Sequence, residues 1–413
     1  MSILGRLLNS LVKQGTLVIV HPDGSMESFG QSEAGFPDII VRLADKGAMR
    51  QILLDPRLGA AEMFMDGRLI IEQGDIMQLI QLARANRRWE RGGQFVETGF
   101  LKKVQGYIAG SLDRFNGRSR SKANVAHHYD LSRGLYELFL DKDMQYSCAY
   151  WTNPDNTLEQ AQLDKKAHIA AKLDLKPGQR VLDIGCGWGG MAIYLHQQFG
   201  VDVLGITLSD EQLKVAQERA KKEGVADRVR FELIDYRELA ERDAGNFDRI
   251  VSVGMFEHVG TPNFKTFFQC SANLMTDNGV MLLHTIGRMG RPGTTDAFTR
   301  KYIFPGGYIP ALSETLQASE HFRLIPTDIE TLRLHYALTL REWYKRTTAN
   351  KNKIVAIYDE RFFRLWTFYL AGATAAFESG GMCNYQIQFS RNRHTLPITR
   401  DYIGEVEKHL HVE

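Results

Sequence analysis

Residues 181–190, VLDIGCGWGG, give the strongest indication of the fold of this 413-residue chain. Its apolar start, 181–184, predicts a buried strand, and the glycines that follow predict a tight turn that opens a helix. Gly185, Gly187 and Gly190 have the GxGxxG spacing that lets a nucleotide-containing ligand approach the backbone of a strand–turn–helix unit. The stretch therefore predicts a ligand site at the carboxyl end of a strand in an α/β fold.

Further strands and helices alternate downstream of this turn. The apolar strings are VDVLGIT (201–207), RVRFELID (228–235), RIVSVGM (249–255) and VMLLHTI (280–286). Helical patterns at 210–222 and 262–275 separate them, and further strands are expected near 323–327 and 386–390. This alternation predicts a largely parallel sheet with helices on both faces.

Polar residues around the glycine turn favour S-adenosylmethionine over NAD as the ligand. Asp183 lies two residues before the first glycine, where a carboxylate attracts an ammonium group. The second strand ends in GITLS (205–209), without the acidic residue that grips the ribose of NAD. Gln212 is placed to contact that ribose instead, and Asp235, after the third strand, to accept the adenine amino group. A dehydrogenase that uses NAD remains the alternative from these residues alone.

Two more polar residues follow the fourth and fifth strands. Glu257 lies just beyond the fourth strand, and His284 lies near the end of the fifth. Doubly wound sheets bind their ligands at this edge, so both side chains are candidates for the active site. A Glu-His pair after a strand can also simply cap the next helix.

The amino-terminal part of the chain has a different pattern. TLVIVHP and MESFG predict a hairpin around Asp23-Gly24, followed by a strand at 38–42 and helices at 48–53 and 76–87. A basic, polar stretch at 114–122 is typical of a linker, and its charge also suits an anionic lipid surface. We therefore predict three parts. They are an accessory domain (1–115), a linker (116–124) and a catalytic domain (125–413).

Bulk composition narrows the class of protein. Lys and Arg total 51 and Asp and Glu 49, so no basic excess points to nucleic acid. The four cysteines, Cys148, Cys186, Cys270 and Cys383, have no spacing typical of zinc sites or disulfide frameworks, and no metal site is predicted. The sequence has neither a secretory signal pattern nor about 18 consecutive apolar residues. A cytoplasmic protein with peripheral contact to the inner face of the cell membrane is expected.

Six strings resemble the cyclopropane-fatty-acid synthase family, which includes the mycolic acid cyclopropane synthases. They are HHYDLSRGLYELFLDKDMQYSCAYW (127–151), LDIGCGWGG (182–190), GITLSDEQ (205–212), MFEHVG (255–260), LLHTIGR (282–288) and HYALTLREW (335–343). The strings YSCAYW and MFEHVG are the most diagnostic. The resemblance implies a Rossmann-like seven-stranded class I methyltransferase domain, and it extends more weakly to an amino-terminal lipid-binding domain.

The resemblance also implies roles for individual residues. It assigns contacts with S-adenosylmethionine to Tyr146, Ser147, Asp183, Gly185, Gly187, Gly189, Thr207, Leu208, Gln212, Asp235 and Tyr236. It places Cys148, Glu257, His284, Ile286 and Tyr336 around a bound bicarbonate ion. In this interpretation the Cys148 thiol is not a nucleophile.

The function implied is that of a cyclopropane-fatty-acyl-phospholipid synthase. The methyl donor alkylates the cis double bond of an acyl chain, and bicarbonate deprotonates the resulting carbocation so that the ring closes. A C-methyltransferase that makes methyl-branched fatty acids is the alternative on the same scaffold, and a lipid-binding protein without activity is a non-enzymatic one. Membrane phospholipids are the expected partners, and a homodimer is compatible with the sequence.

Overall fold

The structure is a computed structural model that describes residues 11–55, 58–93 and 131–410, together with residues 5, 8 and 9. The predicted linker, 116–124, and the first four residues of the string 127–151 lie outside the described residues. The chain divides into two compact units. Within the described residues, the first unit comprises 5–93, 296–303 and 337–381, and the second comprises 131–295, 304–336 and 382–410.

The strands and helices are numbered in chain order. The strands are β1 (Gly15–Val20), β2 (Met26–Gln31), β3 (Asp38–Leu43), β4 (Leu69–Gln73), β5 (Arg180–Ile184), β6 (Asp202–Thr207), β7 (Val229–Leu233), β8 (Phe247–Val253), β9 (Met275–Arg288), β10 (Ile325–Leu332) and β11 (Met382–Ser390). The helices are α1 (Lys46–Leu54), α2 (Leu58–Met65), α3 (Ile76–Ala85), α4 (Arg133–Phe139), α5 (Leu158–Leu173), α6 (Gly190–Phe199), α7 (Asp210–Lys222), α8 (Tyr236–Arg242), α9 (Phe264–Leu274), α10 (Leu312–Glu320), α11 (His335–Ala349), α12 (Lys351–Ile357), α13 (Glu360–Glu378) and α14 (Asp401–Leu410). Short 3-10 turns occupy Trp89–Arg91, Phe256–His258 and Thr261–Asn263.

The first unit contains a four-stranded sheet in the order β2-β1-β3-β4. β1 and β2 pair antiparallel, so the predicted hairpin is confirmed. The Asp23 carboxylate stabilises its turn by accepting hydrogen bonds from the Ser25 amide (3.0 Å) and hydroxyl (2.6 Å). β1 and β3 run parallel, and β4, which the sequence pattern did not reveal, closes the sheet antiparallel to β3.

Segments from late in the chain complete the first unit. The Gln81 amide donates to the Glu378 carboxylate (2.9 Å), so α13 is joined to α3. The Arg364 guanidinium donates to the Met65 carbonyl (2.6 Å) at the end of α2. The compact units thus divide the chain differently from the boundaries 1–115, 116–124 and 125–413, whose functional assignment stays a prediction.

The second unit contains a seven-stranded sheet in the order β10-β11-β9-β8-β5-β6-β7. β7, β6, β5, β8 and β9 are parallel, and β11 pairs antiparallel with β9. The predicted strands near 323–327 and 386–390 are present as β10 and β11. The order reverses between β5 and β8, and doubly wound sheets place their ligand crevice at this point, beyond the carboxyl ends of the strands.

Both faces of this sheet are buried, as the predicted fold requires. Successive residues of β5 point to opposite faces. Leu182 belongs to one apolar cluster with Phe267 of α9, and Val181 belongs to another with Ile169 of α5. Helices therefore cover the sheet on both sides, and the predicted α/β architecture is confirmed.

Candidate active site

The glycine turn after β5 has the geometry that the sequence predicts. Gly185, Gly187 and Gly189 have φ angles of 82°, 53° and 84°, a region that favours glycine. A Cβ at Gly185 would lie 2.9 Å from the Met255 side chain, whereas a Cβ at Gly187 would meet nothing within 4 Å. The backbone at Gly187 thus borders open space, and α6 begins at Gly190 with amide groups that suit a polar ligand.

Asp183 is buried at the end of β5, with 2% of its surface exposed. Its Oδ2 atom has no hydrogen-bond partner among the described residues. Burial raises the pKa of this carboxyl to about 7, and the positive charge of Lys165 opposes the rise. A carboxylate in this position is suited to a cationic ligand group, because such a group would replace the lost hydration.

The turn after β6 orients the predicted ribose contact. The Thr207 hydroxyl donates to the side-chain Oε1 of Gln212 (2.9 Å). The Ser209 hydroxyl accepts from the backbone N–H of Gln212 (3.3 Å) at the start of α7. The buried Gln212 side chain is therefore held with its Nε2 group left as a donor. Leu208 lies between these polar residues in the same turn.

Asp235 and Tyr236 follow β7. Asp235 caps α8, and both of its carboxylate oxygens accept from the Arg237 guanidinium, at 2.8 and 2.6 Å. Tyr236 packs edge-on against Phe267, with ring centroids 5.5 Å apart. The structure thus gives Asp235 an arginine partner, which the sequence did not anticipate, and places the Tyr236 ring in the core.

The segment 145–151 carries three predicted site residues. The Tyr146 ring packs against Tyr136 (centroids 5.3 Å apart), and the Ser147 hydroxyl accepts from Lys165 Nζ (2.8 Å). Cys148 is 1% exposed, and its thiol donates to the Ala149 carbonyl (3.3 Å). Burial raises the pKa of the Cys148 thiol far above its ordinary value, so the neutral thiol dominates near pH 7.

Glu257 and Ile286 are in direct contact. The Ile286 amide donates to Glu257 Oε1 (2.5 Å), while Glu257 Oε2 is buried without a partner among the described residues. Burial raises the pKa of Glu257 to about 7, so protonated and ionised forms coexist near neutrality. The Ile286 amide thus holds this carboxyl group, and the place of Ile286 beside a bicarbonate ion stays a prediction.

His284 lies on β9 and is 1% exposed. Burial lowers its pKa to about 3, so the ring is neutral. Gln386, its cross-strand neighbour on β11, places Nε2 3.2 Å from His284 Nδ1. With the amide in this orientation, Nδ1 accepts and Nε2 carries the proton. That Nε2 is buried without a partner within the described part of the chain.

Hydrogen bonds bring the segments of the site together. The Gly254 amide, after β8, donates to the His284 carbonyl (2.9 Å), and the Ser147 Cβ lies 3.9 Å from the position that a Cβ of Gly254 would take. The Trp151 amide donates to His335 Nδ1 (2.9 Å), and Tyr336 is the next residue of α11. The carboxyl end of β8, His284 of β9, the segment 145–151 and the start of α11 thus meet.

Two buried polar residues of this region were missed from the sequence. Gln386 lies on a strand whose residues are nearly all buried, and Lys165 lies on α5, where most residues are buried regardless of polarity. Neither follows a hydrophobic period or a known motif spacing. The only signal was a polar side chain inside an apolar segment, for example Gln386 and Gln388 flanking Ile387.

Comparison with known proteins decides the family. The mycolic acid cyclopropane synthetase family model matches residues 116–387. The chain belongs to the mycolic acid cyclopropane synthetase family. A cyclopropane-fatty-acyl-phospholipid synthase of Escherichia coli strain K12 is 41% identical over 354 residues, which are 85% of this chain and 87% of that protein. A probable fatty acid methyltransferase of Pseudomonas putida is 42% identical over 286 residues, 67% of this chain and 72% of the relative.

Solved structures agree with this family. The mycolic acid cyclopropane synthase CmaA1, complexed with SAH and CTAB, is 33% identical, with a TM-score of 0.61 over 65% of this chain and 98% of that chain. The predicted class I methyltransferase fold and the predicted enzyme class, an S-adenosylmethionine-dependent methyltransferase, are confirmed. The roles of the individual site residues stay predictions. Among the described residues, no helix combines the length and apolarity needed to cross a bilayer.

Proposed function

We propose that this family member is a cyclopropane-fatty-acyl-phospholipid synthase, which adds a methylene unit from S-adenosylmethionine to the cis double bond of an unsaturated phospholipid chain. One observation carries the proposal. Glu257 Oε2 and His284 Nε2 are both buried without partners among the described residues. Glu257 lies in the turn that follows β8, and His284 lies on the adjacent strand β9, opposite the last residue of β8. The 41% identity to the E. coli synthase over 85% of this chain supports the same substrate class.

The glycine turn and its neighbours would hold the methyl donor. The backbone at Gly187 borders open space, Asp183 provides a buried carboxylate for the ammonium group, and Gln212 provides an oriented amide for the ribose. The donor supplies an electrophilic methyl group on a sulfonium. The buried setting excludes water, and exclusion of water protects a carbocation on the acyl chain from hydration.

The residues near β8 and β9 fit a small oxyanion such as bicarbonate. His284 offers an N–H donor at Nε2, and Glu257, with a pKa near 7, offers a hydroxyl donor when protonated. Both atoms are buried, so an anion that pairs with them would remove two unsatisfied polar groups. Bound there, bicarbonate would supply a compact base for the proton lost from the added methyl group. Tyr336 and the backbone near Cys148 are the predicted further contacts.

Glu257 is held rigidly for this role. The Ile286 amide fixes Oε1, and the side chain therefore presents Oε2 in one direction. The neutral Cys148 thiol supplies bulk rather than charge. The acid and base work thus falls to the anion, Glu257 and His284.

The proposal includes peripheral contact with a phospholipid bilayer, because the acyl chain has to leave the membrane to reach a buried site. Flotation with vesicles that contain anionic phospholipid tests this part. Binding that weakens as salt is raised supports electrostatic recruitment, and equal binding to neutral vesicles at every salt concentration contradicts it.

The decisive assay is incubation of the protein with labelled S-adenosylmethionine and vesicles of an unsaturated phospholipid. We expect fatty acids that gain one CH2 unit and resist hydrogenation, and no product from matched saturated vesicles. Depletion of bicarbonate from the buffer should lower the rate, and its return should restore it. If no label is incorporated into lipid under any of these conditions, the proposed function is wrong.

The alternative product, a methyl-branched fatty acid, is favoured by one observation. The relative from Pseudomonas putida, 42% identical over 67% of this chain, is described as a probable fatty acid methyltransferase. A product that hydrogenation converts into a saturated methyl-branched fatty acid would support this alternative, because a cyclopropane product would resist the treatment.

A further inference from the structure

Lys165, on α5, is a buried cation that the proposed reaction does not use. It is 0% exposed, and its Nζ donates to Gln145 Oε1 (2.6 Å) and Ser147 Oγ (2.8 Å). Among the described residues, no carboxylate lies within 4.0 Å of this ammonium group. Two neutral oxygens are poor compensation for a charge removed from water.

Two other lysines of the same helix are paired with carboxylates. Lys166 Nζ lies 2.7 Å from Asp143, and Lys172 Nζ lies 3.1 Å from Asp328 and 2.5 Å from Glu330. These two lysines are paired with carboxylates, as buried charges usually are. Lys165 differs from them because, among the described residues, the carboxylates that act on its charge, Asp141 and Asp143, do so from more than 4.0 Å away.

Asp183 has the complementary property. Its carboxylate is buried, one of its oxygens has no partner within the described residues, and it interacts electrostatically with Lys165 without forming an ion pair within 4.0 Å. Two opposite buried charges that form no ion pair with each other suit a ligand that carries both signs. The amino-acid end of S-adenosylmethionine is such a group, with an ammonium and a carboxylate on one carbon.

Ser147 connects the cation to the crevice. Its hydroxyl accepts from Lys165, so its own proton is left to donate. Ser147 also lies beside Gly254, beyond the carboxyl end of β8, next to the strand that carries Asp183. Lys165 can therefore act on a ligand directly or through this hydroxyl.

We propose that Lys165 is the residue that selects the carboxylate of the methyl donor, with Ser147 as the hydrogen-bond donor beside it and Asp183 as the partner of the ammonium group. This inference rests on the proposed use of S-adenosylmethionine, and it adds a specificity-determining residue to that use. Removal of the Lys165 charge lowers the affinity for ligands that carry the carboxylate. The affinity for ligands that lack the carboxylate stays nearly unchanged.

Isothermal titration of the full chain with two ligands tests the proposal. The ligands are S-adenosylhomocysteine and its decarboxylated analogue, which keeps the adenosine, the thioether and the amine. We expect the wild-type protein to prefer S-adenosylhomocysteine by about tenfold to hundredfold, the range for a buried hydrogen bond to a charged group. In Lys165→Met, that preference should fall below about threefold. Lys166→Met, the matched control on the same helix, should keep the wild-type preference.

Each outcome has one meaning. A wild-type protein that binds both ligands equally overturns the inference alone, even if Lys165→Met fails to fold. A preference that survives in a folded Lys165→Met variant also overturns it. A wild-type protein that binds neither ligand contradicts the proposed function instead, so the two failures are distinguishable.

Discussion

Replacement of Glu257 by glutamine should stabilise the ligand-free protein and abolish most of its activity. The wild-type carboxyl is buried, one oxygen lacks a partner among the described residues, and its pKa rises from 4.5 to about 7. Glutamine has the same shape and its amide oxygen can still accept from the Ile286 amide, but it never ionises. The substitution therefore isolates the cost of a charge at this position.

The size of the effect follows from that pKa. The folded protein holds the Glu257 proton more tightly than the unfolded chain, so the group costs nothing well below pH 4.5. The cost grows as the pH rises and reaches about 3 kcal/mol above pH 7, at about 1.36 kcal/mol per pKa unit. Between about pH 5 and pH 8.5, the advantage of Glu257→Gln over wild type should grow by about 2 to 3 kcal/mol.

Denaturant unfolding at these two pH values measures the difference. Glu218→Gln replaces an exposed glutamate of α7 and should stay within about 0.5 kcal/mol of wild type at both. At the same time Glu257→Gln should lose about a hundredfold or more in kcat, the usual contribution of an acid–base group. A stability difference that does not change with pH would refute the assigned burial cost. Activity within a few fold of wild type would refute the role in catalysis.

Three further substitutions test other parts of the site. Cys148→Ser should keep kcat within about threefold of wild type, because the buried neutral thiol is not a nucleophile; a dead variant, or a covalent adduct on Cys148 in intact mass spectra, would contradict this. Gln386→Leu should lower kcat about tenfold without changing the affinity for S-adenosylhomocysteine, because the His284 ring loses the donor that fixes its tautomer. An unchanged kcat would show that Gln386 does not position His284 for the reaction. Gly187→Ala should weaken S-adenosylhomocysteine binding at least about tenfold, since its φ of 53° disfavours a side chain and its Cβ would enter the open face; titration calorimetry with unaltered affinity would argue that the ligand lies elsewhere.

The sequence predicted the parts of the fold that depend on local pattern. The strand–turn–helix at 181–190 and the alternation after it determine the parallel sheet, because apolar runs and glycines report directly on burial and on turns. The partner of α13 was not predictable in the same way. The amphipathic pattern of this segment indicates a helix with a buried face. Nothing in the pattern shows that this face contacts α3, which lies nearly 300 residues earlier in the chain.

The same distinction holds for the site. Asp183, Glu257 and His284 were found because each lies in the last part of a predicted strand or just after it, near the edge where parallel strands end. Lys165 and Gln386 were missed because their roles arise from tertiary contacts, with Ser147 in one case and His284 in the other. The arginine partner of Asp235 was missed for the same reason, although Arg237 is only two residues away.

Deuterium labelling shows whether the transferred methyl group loses a hydrogen atom during the reaction. The protein is incubated with S-adenosylmethionine that carries a fully deuterated methyl group and with vesicles of an unsaturated phospholipid. The masses of the product fatty acids are then measured by mass spectrometry. If a base beside Glu257 and His284 removes a hydrogen from the transferred methyl group, the product keeps two of its three deuterium atoms. A product that keeps all three shows that the hydrogen came from the acyl chain, and it would contradict ring closure at this site.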